Sequence, residues 1–145
     1  MSKVVILGYG NPLRGDDGVG YLAATRLEQR FTGRDVRVVA AHQLNPEHAE
    51  LLAYADLAVF IDASAERPPG TITRSDLLPA ESSARPSTHD LTPEVLLACA
   101  RELYGFCPRA VLFAVGASNF NYGEVSQSIS ESLPLLLEEV ALVCR

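Results

Sequence analysis

Short apolar runs alternate along this chain with stretches of helical period. "KVVILG" and "DLAVFIDA" are almost unbroken in their apolar character, as strands are when helices cover both faces of a parallel sheet. "DVRVVAA" alternates as a further strand, and "RAVLFAVGA" reads as a buried one. Between the first two strands, "DGVGYLAATRLEQRF" places Val19, Leu22, Ala23, Leu27 and Phe31 at helical spacing. Asp16 or Asp17 is expected to cap that helix, where an acid also suits the dipole. "NPEHAELLAYA" opens with Asn45 as expected N-cap and Pro46 at the first helical position, a regular start signal. "LTPEVLLACARELYG" is a third helix, with Thr92 as cap, Pro93 in its first turn and Gly105 at its end. "SQSISESLPLLLEEVALVCR" closes the chain as an amphipathic helix that Pro134 either kinks or starts.

One stretch breaks this rhythm. "SAERPPGTITRSDLLPAESSARPSTHD" holds four of the nine prolines and room for one short strand around "TITRSD". A loop of that length inside a compact domain tends to carry function. Strands alternating with helices predict a three-layer α/β sandwich. Its sheet should be mostly parallel and twisted, of about five strands, with helices on both faces and right-handed crossovers. Residues 1–145 are expected to form a single α/β domain.

Composition narrows the partners. With 48% apolar and 21% charged residues, the 145-residue chain can bury a full core. The net charge of −6, from 18 acidic against 12 basic residues, argues against nucleic acid or an anionic membrane as partner. "VVIL" is too short for a signal-peptide core, and Glu138 and Glu139 interrupt the most apolar late stretch. Cys99, Cys107 and Cys144 are odd in number and lack CxxC spacing, which speaks against a disulfide framework or a thiolate metal site. A cytoplasmic monomer is the expectation.

Ligands of such sheets sit beyond the carboxyl ends of the strands, where strand order reverses. The first strand runs into "GYGNPLRGDDGVG", which holds Asp16 and Asp17; the second ends at His42 and Gln43; the third ends at Asp62. If the strand order is 2-1-3, these loops are neighbours. Each residue also has a plainer reading. Asp16 or Asp17 serves as a helix cap, Asp62 accepts N–H groups of the next turn, and His42 is a satisfied loop residue, while His89 taken alone favours neither reading. His48 reads as a helix-surface residue. Two carboxylates and one or two imidazoles gathered in one cleft are costly without a compensating cation. Aspartate and histidine suit zinc, nickel or a similar divalent ion.

Other chemistries fit poorly. "GYGNPL" starts as GxG, but Leu13 occupies the third glycine position, and no Gly-Lys-Ser/Thr occurs for a P-loop. Two carboxylates in the glycine loop would repel phosphate. There is no GxSxG elbow and no HExxH helix. Cys99 and Cys107 have no evident base beside them.

"ILGYGNPLRGDDGVG", then "FIDAS" at the end of the third strand, then "STHDLTP" before a helix together resemble the hydrogenase maturation endopeptidases. The resemblance runs through nearly the whole chain to "VGASNFNYGEVSQSISESLPLLLEEV". It implies removal of a C-terminal extension from the large-subunit precursor of a nickel–iron hydrogenase. It also implies that Asp17, Asp62 and His89 are the metal-contacting and catalytic residues, with Asn11 and Asp16 in the substrate-binding loop. The nickel would arrive on the substrate, as a recognition element, and no permanently bound cofactor is implied. Where many members have an Asp-Gly-Gly-Thr-like turn, this chain has "HQL". That turn resembles the subset serving soluble or bidirectional hydrogenases and makes His42, Gln43 and Leu44 candidate readers of the precursor. Competing readings are a related peptidase such as a spore-protein protease, a nucleotide-binding regulatory module, and a non-catalytic nickel-binding accessory protein.

Overall fold

In the computed structural model, residues 3–33, 35–81 and 91–145 are described. Strands β1 (Val4–Tyr9), β2 (Val36–Ala41), β3 (Leu57–Ser64), β4 (Ile72–Leu77) and β5 (Arg109–Gly116) form one sheet in the order β2-β1-β3-β5-β4. The first four in that order run parallel. β4 is an antiparallel edge on β5. Its exposed Arg74, Ser75 and Asp76 keep that edge polar, which discourages pairing with a further strand. The expected α/β class and mostly parallel sheet are present, and the 2-1-3 order, the condition for the three loops to be neighbours, is found.

Helices α1 (Val19–Arg30), α2 (His48–Ala53), α3 (Pro93–Tyr104) and α4 (Gln127–Val143) cover the two faces. Alternation along the strands divides the core. Ile6, Val59, Ile61, Val111 and Phe113 meet Ala23 and Leu27 of α1 and Ile129, Leu136 and Val140 of α4. Val5, Leu7, Ala58 and Phe60 meet Leu52 of α2 and Leu96, Leu97 and Ala100 of α3. Both faces of β1 and β3 are therefore dry, which accounts for their unbroken apolar runs. Each fully buried Leu, Ile or Phe contributes roughly 1.5–3 kcal/mol. Among the described residues no helix is long and apolar enough to cross a membrane.

Helix starts differ from expectation in two places. α1 begins at Val19 after a one-turn 3₁₀ helix, Gly15–Gly18, and no side chain caps it. Neither Asp16 nor Asp17 is the cap, because both carboxylates bind elsewhere. α2 begins at His48 rather than at Pro46. Asn45 instead closes a turn, accepting the His48 N–H on its carbonyl and donating its own N–H to His48 Nδ1, each at 3.0 Å. α3 follows the sequence signals closely: Thr92 Oγ1 accepts the Val95 N–H at 3.2 Å, and Gly105 ends the helix at φ +80°. α4 runs through Pro134 without being restarted there.

Candidate active site

The chain reverses at the end of β1 through a loop that is tied to itself and to the rest of the domain. Gly10 adopts φ +142°, and a Cβ there would fall on the Asp17 carbonyl. Gly8 and Gly20 serve close packing: a Cβ on Gly20 would strike the carbonyls of Tyr9 and Ile61. The glycines thus press α1 onto the ends of β1 and β3. They account for the glycine-rich motif without phosphate.

Asp16 and Asp17 leave this loop in different directions. Asp17 is half-buried, and its Oδ2 accepts the Asn11 backbone N–H at 2.8 Å. Asn11 Oδ1 in turn accepts the Leu13 N–H at 2.9 Å, so Asn11 is engaged in shaping the loop. Asp16 is 0% exposed. Its carboxylate accepts the N–H groups of Ser118, Asn119 and Ser126 and the hydroxyls of Ser118 and Ser126. Burial alone would favour its neutral acid, but these donors outweigh burial and hold its pKa below the ordinary value. Asp16 was expected to touch substrate; buried and surrounded by donors from the protein itself, it does not.

Asp62 ends the buried part of β3, one residue beyond the Gly8–Ile61 pair. Its Oδ1 accepts the Ala63 N–H at 2.8 Å. Alternation sends Asp62 and Tyr9 to the α2–α3 side, where Tyr9 packs with Leu7 and Phe60. The Tyr9 hydroxyl faces the Asp62 carboxylate. Burial pushes the Asp62 pKa up to about 6, the Ala63 N–H and Tyr9 hydroxyl oppose the rise, and the charge of Asp17 adds to it. Burial, followed by the charge of Asp62, holds the Tyr9 phenol far above its ordinary value, with a further contribution from Glu94. The Tyr9 phenol therefore stays protonated at any working pH and acts as a hydrogen-bond donor to Asp62.

Asp17 and Asp62, forty-five positions apart in the sequence, lie at the carboxyl ends of β1 and β3, near enough for the charge of Asp17 to act on Asp62. Two carboxylates there can hold a cation or, with Asp62 titrating near neutrality, take a proton from water. The third expected member, His89, lies outside the described residues. Among the described residues no group of three or more His, Cys, Asp or Glu side chains is arranged to hold a metal ion. A groove of about 470 Å³ between α1 and α4, lined in part by Pro12, Tyr21, Arg26, Glu124 and Pro134, includes neither carboxylate.

The HQL turn divides. His42 and Gln43 are exposed, and His42 lies edge-on to Tyr21 with ring centroids 5.3 Å apart. Leu44 is 3% exposed and belongs to the core with Leu52 and Leu96. Its place as a reader of the precursor is corrected: the apolar side chain anchors the turn. Tyr9 was missed as a neighbour of Asp62, and Glu94, whose charge acts on Tyr9, was missed as well. The available signal was register, since Tyr9 follows Gly8 as Asp62 follows Ile61 across the same strand pair. The thiols offer no rival nucleophile. Cys99 is buried, burial raises the pKa of Cys107, and it pushes that of Cys144 up to about 11.

No protein-family model and no curated protein matches the chain. Solved structures do. A [NiFe] hydrogenase maturation protease, HycI from Thermococcus kodakarensis KOD1, is 28% identical, with a TM-score of 0.79 over 99% of this chain and 92% of that one. The hydrogenase maturating endopeptidase HybD from E. coli is 24% identical, with a TM-score of 0.80 over 99% and 91%. A hydrogenase 2 maturation peptidase from Thaumarchaeota archaeon SCGC_AB-539-E09 is 23% identical, with a TM-score of 0.72 over 99% and 100%. The last two likenesses speak for the fold. The first, at higher identity, agrees with the resemblance carried by the three motifs: over nearly its whole length this chain is similar to hydrogenase maturation proteases.

Proposed function

We propose that this chain is an endopeptidase that removes the C-terminal extension from a nickel–iron hydrogenase large-subunit precursor after nickel insertion. The observation that carries the reading is the convergence of Asp17 and Asp62, from separate loops, at the carboxyl ends of adjacent parallel strands. The likeness to solved maturation proteases supports peptidase activity. Fold alone would leave the chemistry open, so the weight falls on the paired acids.

In this reading nickel is part of the substrate, held by the precursor when it docks. Asp17 and Asp62, with His89, complete its surroundings and align the peptide to be cut. Asp62 is the better candidate for proton transfer, because a carboxylate with a pKa of about 6 is anionic at neutral pH yet basic enough to accept a proton from an attacking water. Tyr9 donates toward that carboxylate and steadies its anion. Asp17, tethered to Asn11, supplies a fixed negative charge for the cation. A precursor without nickel would leave the negative charges of Asp17 and Asp62 without a cation between them, which makes metal insertion a precondition for productive docking. His42 and Gln43, exposed at the end of β2, read the precursor, and their HQL context favours one from a soluble or bidirectional hydrogenase in the cytoplasm.

The test is the mass of the large subunit after incubation with this protein. Loss of the extension from nickel-loaded precursor, and not from nickel-free precursor, supports the proposal. Asp17→Asn, Asp62→Asn and His89→Ala should each abolish that loss. Equal trimming by all three variants contradicts it, and stable association without trimming supports the accessory-protein reading instead.

A further inference from the structure

We propose that Asp16 is a positioning residue: its buried carboxylate locks the loop that presents Asp17, so that Asp17 meets the substrate-borne cation in one fixed geometry. The catalytic half of this rests on the role given to Asp17 above.

The lock is visible in its bonds. Asp16 Oδ2 accepts the N–H groups of Ser118 at 2.8 Å and Asn119 at 3.2 Å, and the hydroxyls of Ser118 at 3.2 Å and Ser126 at 2.9 Å. Oδ1 accepts the Ser126 N–H at 2.6 Å. Backbone bonds reinforce the same junction: Asp16 N–H to the Asn119 carbonyl at 2.7 Å, Gly15 N–H to Gly123 at 2.9 Å, and Gly123 N–H to Leu13 at 2.9 Å. Bonds to an ionised acceptor are the strong kind, and a buried carboxylate so surrounded has little capacity left for a ligand.

These partners lie 102 to 110 positions away in the sequence, in the connection from β5 to α4. Asp16 therefore fastens the β1–α1 loop to a distant part of the fold instead of merely closing a local turn. Asp16 and Asp17 are consecutive in the 3₁₀ turn Gly15–Gly18, whose geometry separates successive side chains by about a third of a turn. Fixing Asp16 inward fixes the direction in which Asp17 leaves. The Asn11 N–H on Asp17 Oδ2 then reports whether that direction is kept.

Two variants and two readouts test this. Asp16→Asn weakens the lock severely, while Ser126→Ala removes one hydroxyl donor and leaves the carboxylate in place. Amide hydrogen exchange at Asn11 is measured first, on the protein without precursor. Exchange is expected to accelerate by about tenfold or more in Asp16→Asn and by less in Ser126→Ala, as a local opening of the loop would produce. Trimming of nickel-loaded precursor should lose kcat while KM stays within about twofold, the pattern of a group misplaced in the transition state. Unchanged Asn11 protection in folded Asp16→Asn overturns the inference. If that variant does not fold, unchanged protection in Ser126→Ala overturns it equally. Asp17→Asn separates the two readings. If it trims like the parent, the role of Asp17 and the catalytic half of the inference both fall, and Asn11 exchange still judges the lock.

Discussion

Tyr9 and Asp62 stand side by side at the carboxyl ends of β1 and β3, each one residue beyond the Gly8–Ile61 pair, with the phenol facing the carboxylate. The tyrosine acts on a group whose pKa burial has already raised to about 6, and it acts downward. Tyr9→Phe removes that donor while keeping the ring that packs with Leu7 and Phe60. The acid limb of the kcat/KM profile for precursor trimming should then move to higher pH, by about half a unit to one unit. An unmoved limb would show that Tyr9 does not steady the Asp62 anion.

Asp62 should also weaken the fold at the pH where it works. Its folded-state pKa of about 6 lies above the ordinary 3.8, so the folded protein holds this proton more tightly than the unfolded chain. The associated stability is fully present below the ordinary value and is lost as pH rises through about 6. Asp62→Asn cannot ionise. It should melt above the parent at pH 8, by about 1–2 kcal/mol, with the advantage fading towards pH 4, while trimming is lost. Paired thermal melts at the two pH values check the sign.

The HQL turn separates packing from recognition within three residues. Leu44→Ala should cost about 2–5 kcal/mol, as a large-to-small change in the core does, without altering which precursor is chosen. His42→Ala and Gln43→Ala should stay within about 0.5 kcal/mol of the parent in stability. Their effect should appear as a changed ranking among precursors in parallel trimming assays.

Local signals carried some elements to the residue. α3 is an example: Thr92 caps it, Pro93 fills its first position and Gly105 takes the left-handed conformation that ends it. The parallel sheet was legible because continuous apolar runs demand cover on both faces, whereas the 2-1-3 strand order entered only as a condition, since right-handed crossovers constrain the winding without fixing it. Asp62 was legible from the same runs, as the first acid after a buried one.

Asp16 was not legible. Its neighbours read as a helix start, and an acid there is ordinarily a cap, but its partners are Ser118, Asn119 and Ser126. No local spacing encodes a bond across that separation. Asn45 and Pro46 misled in a smaller way. They do begin a turn, but the His48 imidazole takes the Asn45 N–H and helical hydrogen bonding is delayed to His48. Leu44 looked exposed because it stands among polar residues, and its burial follows from α2 and α3 closing over it.

The central claim is that Asp17 and Asp62 serve one ion, and a double-mutant cycle on kcat/KM tests it most directly. Nickel-loaded precursor is trimmed by the parent, by Asp17→Asn, by Asp62→Asn and by the double variant. Groups that act as a unit are strongly non-additive, so the double variant should be about as impaired as the worse single one. Two losses that multiply in the double variant would contradict a shared ion.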